Sequence, residues 1–518
     1  MLISSFHPSP TTRLEGHCFI ASDYIAGGVG AAHYESSTGR TISPGHDGCY
    51  TVAIQRSYGW EIGTDSHGMA RLYVYQEGDV WAAASSLYIL AQHLRASGVS
   101  LNPSEPNLRA LHVPGGLTQQ PLSRHSILEG ITLVPSHERL QVTASGIRAV
   151  SSKLGSEVTY EEALTDYVRT WQSRIQTIVD SEDSTLTADL SGGLDSRTVF
   201  AFLVSADISS IGPGRFKLLS NPKRAEDFAA AEVVAKAFGF TLNTPQIPRR
   251  SALSPTNAVN AWNETCLGVY LPVYLAPNDF EPLAFKAHGA GGETYREYFA
   301  EGRGPGDLGR LKSHFRSGEV EALQAQVDAE RKALEQSHPH IPVNVSHYRQ
   351  FRNRMHFGHR PHRRPMFTPL NSVLLDRVCD RPSTATDRQV YFDIMENLAP
   401  GLKDLPFDDP RKSPSDVINK NLTRVNSGTP LRGGGIFAEA LPEEVRDPSG
   451  KGAFKLWIEE AAEAVLNPSV RAFLGTPAVT QAEDGMAEFR SIKKPLGANH
   501  RGAQSLSYAL AVKFAFDF

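Results

Sequence analysis

The sequence predicts an α/β protein in two parts, a β-rich segment over residues 1–150 and a doubly wound parallel sheet with a helical C-terminal region over 151–518. Three observations predict it. Short apolar runs of strand length fill the first 150 residues, punctuated by Gly-Trp, Asp-Ser-His-Gly and Glu-Gly-Asp turns. From residue 185 onward strand patterns alternate with helical ones, as a parallel sheet with crossover helices requires. Between Thr185 and Val204 an alternating apolar run enters two adjacent glycines and leaves as an apolar helix, read from Thr198 onward.

Composition bounds the function. At 518 residues the chain exceeds a single core. A net charge of −4 gives no general attraction to nucleic acid or anionic lipid, so neither is an expected partner. The four cysteines, Cys18, Cys49, Cys266 and Cys379, form no C-x-x-C pair, which argues against a zinc site or a disulfide framework. No apolar run approaches the roughly 18 residues of a membrane span, and a cytoplasmic enzyme is the expectation.

Taken in order, Tyr50–Ile54, Ala70–Tyr75 and Val80–Ala83 read as strands and Ser85–Ala96 as the one clear helix of the first part. Ser151–Ser156 reads as a linker. Thr159 and Glu162 form a T-x-x-E capping box before a helix whose stripe of Leu164, Tyr167, Val168, Trp171, Ile175, Ile178 and Val179 is a core face. A strand at Phe216–Leu219, a helix at Ala225–Phe238 closed by Gly239, and a strand near Thr241–Ile247 continue the alternation. Helical patterns return at Gly306–Ser337 and dominate to the end.

The chemistry concentrates in Asp189-Leu-Ser-Gly-Gly-Leu-Asp-Ser-Arg197. The paired glycines allow close backbone approach, while Ser191, Ser196 and the amides of the following helical turn are donors for phosphate oxygens. It is not a Walker A loop, because no Gly-Lys-Ser/Thr follows Gly192 at the right spacing. A second stretch, Leu283-Ala-Phe-Lys-Ala-His-Gly-Ala-Gly-Gly-Glu293, again delivers an apolar run into glycines and ends on a carboxylate.

The first stretch resembles the S-G-G-x-D-S pyrophosphate loop of ATP-dependent adenylating enzymes, the asparagine synthetase and β-lactam synthetase family. That resemblance implies an adenine nucleotide alpha hydrolase-like (PP-loop) synthetase fold, with ATP and Mg²⁺ as cofactors. Residue by residue it places Leu190, Ser191, Gly192, Gly193, Asp195, Ser196, Ser220, Asp227, Gly289, Gly291 and Gly292 around the nucleotide. Asp195 and Glu293 would be the metal ligands, with glutamate standing where the family has aspartate. Asp227, at the start of its helix, equally suits the helix dipole alone. Ala290 takes the position of the family's Glu or Tyr, which faces the substrate. The family's lysine at the reaction centre falls on Lys451, displaced by an Asp-Pro-Ser-Gly insertion after Leu441-Pro-Glu-Glu-Val-Arg446, and reads as a loop lysine.

The first part resembles the family's glutaminase-type (Ntn) domain, through Gly63-Thr-Asp-Ser-His-Gly68 and Ile131-Thr-Leu-Val-Pro135. Its nucleophile, a cysteine next to the initiator, is Leu2 here, and the first cysteine is Cys18. Glutamine hydrolysis is therefore not expected, and the domain reads as a degenerate scaffold. The whole is most similar to lasso peptide cyclases. Those adenylate an Asp or Glu side chain of a leader-free core peptide and join it to the peptide's amino terminus, releasing AMP and pyrophosphate, in a pathway with a leader peptidase and a recognition element. A β-lactam-synthetase-like ligase and a non-catalytic binding protein remain alternatives. The basic stretch Tyr348–Pro365 reads as a solvated or phosphate-facing surface. Its His356, His359 and His362 lack a carboxylate or cysteine partner for a metal.

Overall fold

The computed structural model describes residues 1–115, 117–151, 158–245, 253–275, 280–299, 302–359, 364–380, 388–425, 432–439, 451–492 and 494–517. It is a mixed α/β protein with antiparallel and parallel sheets. The first part runs β1 (Leu2–Ser4), β2 (Leu14–Ile20), β3 (Asp23–Ala26), α1 (Gly27–Thr38), β4 (Asp47–Arg56), β5 (Gly59–Thr64), β6 (Tyr73–Glu77), β7 (Val80–Ala84), α2 (Leu87–Ala96), α3 (Glu105–His112), β8 (Ile131–Leu133), β9 (Glu138–Thr143) and β10 (Gly146–Ser151). One antiparallel sheet has the order β1-β7-β6-β8, and a second contains β10-β9-β5-β4-β2-β3.

Period-two alternation sorts these strands' side chains into layers. Ala53, Trp81, Ala83, Leu140 and Val142 fill the space between the sheets. Their neighbours Tyr50, Val52 and Ile54 face α1 through Ala31 and Tyr34. Tyr73, Tyr75, Ala82 and Ala84 face α2 through Leu87, Leu90 and Leu94. The result is helix, sheet, sheet, helix. Three helices stand where one was expected, and Gly59-Trp60, read as a turn, opens β5.

The second part continues with α4 (Tyr160–Asp180), β11 (Thr185–Asp189), α5 (Leu194–Ser205), β12 (Phe216–Leu219), α6 (Ala225–Ala237), α7 (Pro255–Cys266), β13 (Ala284–Ala287), α8 (Glu319–Ser337), α9 (Val343–Tyr348) and α10 (Arg354–Gly358). Then come β14 (Met366–Phe367), α11 (Val373–Cys379), α12 (Gln389–Leu398), α13 (Asp416–Lys420), β15 (Ile436–Phe437), α14 (Lys451–Leu466), α15 (Pro468–Leu474), α16 (Thr476–Ile492) and α17 (Arg501–Phe516). The capping box closes as expected: the Thr159 hydroxyl accepts from the Glu162 amide at 3.2 Å, and the Glu162 carboxylate from the Thr159 amide at 2.8 Å. Helix α5 starts four residues earlier than read, so Asp195 and Ser196 lie in its first turn. Of the strand near Thr241–Ile247, the described residues hold only a parallel bridge between Leu218 and Leu242; residues 246 and 247, like the linker residues 152–156, lie outside them.

β12-β11-β13-β14 form a parallel sheet. Numbered along the chain its order is 2-1-3-4, so the direction of winding reverses between β11 and β13, and the crevice outside their carboxyl ends is where such sheets hold ligands. Leu186, Ala188, Phe285 and Ala287 are buried on one face in the core shared with α4, α5 and α12. On the other face Thr187 and Lys286 are half-buried, and the Lys286 ammonium pairs with the Asp189 carboxylate.

The two parts are joined through their cores. β15 adds a seventh strand to the second sheet, parallel to β3, with Ile436 opposite Tyr24 and Phe437 opposite Ile25. Trp262, Trp457 and Leu506 share one core cluster with Leu87 and Leu90 of α2. Among the described residues no helix is long and apolar enough to cross a membrane.

Candidate active site

The turn after β11 is anchored by the Leu190 amide, which donates to the Leu219 carbonyl of β12 at 2.8 Å. Its next three amides are taken within the protein. Ser191 N–H donates to Ser196 Oγ at 3.1 Å, Gly192 N–H to Asp227 Oδ1 at 2.7 Å and Gly193 N–H to Ser191 Oγ at 3.1 Å. Those amides are spent within the loop, and Asp227, which the resemblance places around the nucleotide, braces the loop through the Gly192 amide. The donors that remain are at the start of α5, where Gly193 is an N-cap without a side-chain cap and the amides of Leu194, Asp195 and Ser196 have no intrahelical acceptor. A helix start of this kind favours an anion. Ser220 follows β12 at the same sheet edge; its amide donates to Asn243 Oδ1 at 3.0 Å, and its buried hydroxyl has no partner among the described residues.

The turn after β13 lies against the first. A Cβ at Gly292 would stand 2.3 Å from Asp195 Cγ, and one at Gly289 3.0 Å from Asp195 Cβ, so both contacts need the bare backbone. Gly291 has φ of +94°, and a Cβ there would meet the Leu370 carbonyl at 2.4 Å. The Tyr391 hydroxyl donates to the Gly292 carbonyl and holds the turn down. Glu293 thereby arrives beside Asp195. Ala290 is 3 % exposed, packs with Cys49, Met69 and Phe357, and lines a small cavity with Gly48, Met366, Thr368 and Asn371 where the two parts meet.

Asp195 and Glu293 fit a magnesium ion. Asp195 Oδ1 and Glu293 Oε2 are buried oxygens with no hydrogen-bond partner among the described residues. Two carboxylates with phosphate oxygens completing the shell is the usual protein contribution to such a site. Burial pushes the Asp195 carboxyl up to about 6, with Arg296 opposing and Glu293 adding to the rise. Arg296 lies 3.0 Å from Asp195 Oδ2 and 3.9 Å from Glu293 Oε1.

Arg296 was not singled out from the sequence, although Glu293 and Arg296 have the i, i+3 spacing of an opposite-charge pair. Lys412 was missed with less reason to find it. Arg197, the last residue of the first motif, donates to the Leu405 and Pro406 carbonyls and stacks over Phe407 at 4.0 Å. The loop so pinned puts Asp408 against Gly192, with the Asp408 amide donating to the Gly192 carbonyl at 3.2 Å. Lys412 Nζ lies 2.7 Å from the Asp408 carboxylate, and its charge acts on Asp195. Lys451 is not on a loop but opens α14; residues 441–450, with the rest of its motif, lie outside the described residues.

The basic stretch overturns its expectation most plainly. Arg354 is 1 % exposed and donates to the Gly68 carbonyl at 2.8 Å and the Val134 carbonyl at 3.0 Å, both in the β-rich part. Arg352 donates to Gln120 Oε1 at 2.9 Å. Arg349 pairs with Asp380 at 2.9 Å and donates to the Thr294 carbonyl at 2.8 Å, bracing the turn that carries Glu293. Burial, not solvation, is their role, because the stretch lies between the two parts. His356 meets the Tyr270 hydroxyl at 2.5 Å, His359 is buried, and His362 lies outside the described residues. Among the described residues no cluster of three metal-ligating side chains exists.

A chain of contacts links the β-rich part to the turn that carries Glu293. His67, after β5, lies 3.1 Å from Asp376 of α11. The Tyr295 hydroxyl, two residues after Glu293, donates to Asp376 Oδ1 at 3.2 Å. Burial alone would lower the His67 imidazole, but the Asp376 carboxylate outweighs it and raises it. Cys18 is buried in β2 and its thiol is pushed far up by that burial, so it offers no nucleophile. No protein-family model and no curated protein matches the chain.

Proposed function

We propose that the protein is an ATP-dependent, AMP-forming carbon–nitrogen ligase of the asparagine synthetase type, and that it closes a macrolactam in a leader-free peptide as lasso peptide cyclases do. The observation that carries the reading is the meeting of the two turns at Asp195, which brings two partnerless carboxylate oxygens to the uncapped start of α5. A PP-loop synthetase half and a degenerate glutaminase-like half are the domain reading that accompanies it.

In this reading the amides of Leu194, Asp195 and Ser196 bind phosphate oxygens. Asp195 and Glu293 would hold magnesium, whose charge would offset that building as pyrophosphate leaves. Asp227, Tyr391 and Arg349 fix the two turns before substrate arrives, so little reorganisation remains at the moment of reaction. Arg296 and Lys412 add fixed positive charge at the edge. An oxygen of the peptide's Asp or Glu carboxylate attacks the α-phosphorus of ATP, releasing pyrophosphate. The neutral amino terminus then attacks the acyl carbon, AMP leaves, and one proton is lost. With both reacting groups on one chain, positioning supplies much of the rate, since effective molarities of oriented pairs reach roughly 10⁵–10⁸ M.

The test is incubation of the full chain with ATP, Mg²⁺ and synthetic leader-free peptides bearing Asp or Glu, read by mass spectrometry and nucleotide analysis. The expected product is lighter by one water, with one AMP per ring. Product joined to a second amine points to an intermolecular ligase, and ADP in place of AMP removes the adenylation reading.

A further inference from the structure

A second cleft of about 380 Å³ lies among elements that carry none of the nucleotide-site residues. His112, His314, Gln481, Arg501 and Gln504 line it opposite the apolar Leu474 and Pro477. Its volume is that of a small-molecule pocket.

Its charge is one-sided. Among the described residues that line it, Arg501 stands with two histidines and no carboxylate. Nearby arginines are neutralised: Arg109 pairs with Glu319 at 2.9 Å, and Arg316 with Glu105 at 3.0 Å. Arg501 has no such partner among the described residues. It also opens α17, whose N-cap His500 makes no side-chain cap bond. A cation at a helix N-terminus opposes the helix dipole, and an anion in the cleft would offset the guanidinium charge there.

The neutral groups are arranged as donors. The Ser505 hydroxyl donates to Gln481 Oε1 at 3.1 Å, so its oxygen accepts from His112 Nε2 at 3.0 Å. That arrangement leaves the Gln481 amide nitrogen to donate elsewhere. His112 is held flat against Tyr508, ring centroids 4.6 Å apart, which makes this wall rigid. Burial and the neighbouring His314 push its imidazole down to about 4, leaving Arg501 as the fixed charge.

We propose that this cleft binds a carboxylate carried on an apolar body, the chemistry of a peptide's C-terminal residue, through the Arg501 fork and the Gln481 and Gln504 amides. The cationic, half-apolar lining selects the anion; the choice of a peptide as its source rests on the ligase reading above. Guanidinium and carboxylate match in planar, two-bond geometry.

The experiment uses the full chain without nucleotide and titrates N-acetyl-leucine, N-acetyl-leucinamide and inorganic phosphate by ligand-observed NMR. The acid is expected to bind on the order of 10–100-fold more tightly than the amide, and adding Mg-ATP should leave its affinity unchanged. Arg501→Ala should erase the preference for the acid while the melting temperature holds, because Arg501 is an exposed side chain. Equal binding of acid and amide, or an unaltered preference in Arg501→Ala, overturns the proposal. Phosphate binding more tightly than the acid overturns the peptide source. None of these readouts requires AMP formation, so failure of the ligase reading and failure of this site are seen separately.

Discussion

Asp195 is the side chain on which most of the account rests, and its environment makes a signed prediction. Its carboxyl is raised to about 6 by burial, against the opposing Arg296. The fold therefore favours the neutral acid: the contribution is fully present below the ordinary value near 4 and is lost as pH rises through about 6. Urea unfolding of the nucleotide-free protein should show stability falling between about pH 4 and 6, and Asp195→Asn should remove that slope while lowering AMP formation by on the order of 10²-fold or more. A slope unchanged in the variant would contradict the assignment. Arg296→Ala should push the Asp195 carboxyl higher, moving the acidic limb of the pH–rate profile upward, with Arg296→Lys restoring part of the shift. The glycines around Asp195 were legible because the close approach of two backbone turns demands glycine at fixed spacing. Arg296 and Lys412 were not, because a long cation acquires its role from a fold that brings it near.

At the scale of elements, the two turns are held by what packs behind them. Asp47 of β4 accepts from Arg174 of α4 at 2.6 Å, the Ser372 hydroxyl at 2.8 Å and the Val373 amide at 2.7 Å, tying the second sheet to the start of α11. Asp47→Ala leaves Arg174 buried without its counter-charge and should cost about 3–5 kcal/mol, read as a lowered urea midpoint. The His67–Asp376 pair sits one contact further toward Glu293. Because the His67 imidazole is raised, its stabilisation is fully present at and below the ordinary value near 6.5 and disappears as pH rises through the raised value. His67→Gln should flatten that decline and raise the ATP concentration needed for half-maximal AMP formation; a variant identical to wild type in both would cut the link between the parts. Helix α4 was legible from its capping box and stripe. Helix α1 was not: its glycine-rich start carries no cap, and a Cβ at Gly30 would stand 2.1 Å from the Phe437 carbonyl, a contact made by a segment some 400 residues away. β15, two residues long, is too short for any periodicity to announce.

At the scale of the whole molecule, the first part is built into the second at several points. Arg354 inserts into the first part, β15 extends its sheet, and Trp262 and Trp457 share its core. Parts joined by buried arginines and a common apolar cluster should unfold together, so calorimetry is expected to show one cooperative transition, and two separated transitions would show the interface to be weak. The parallel sheet was legible from alternation of strands and helices. The mutual placement of the two parts was not, since the arginines that fix it read, along the sequence, as an exposed basic surface. In the proposed function the turns after β11 and β13 together activate a carboxylate with ATP. The most direct test uses a leader-free peptide labelled with ¹⁸O in its Asp or Glu side chains, incubated with the full chain, ATP and Mg²⁺. The account predicts one label transferred to the phosphate of AMP for each ring closed, and no transfer with Asp195→Asn; ring closure with unlabelled AMP, or label appearing in inorganic phosphate alongside ADP, would contradict it.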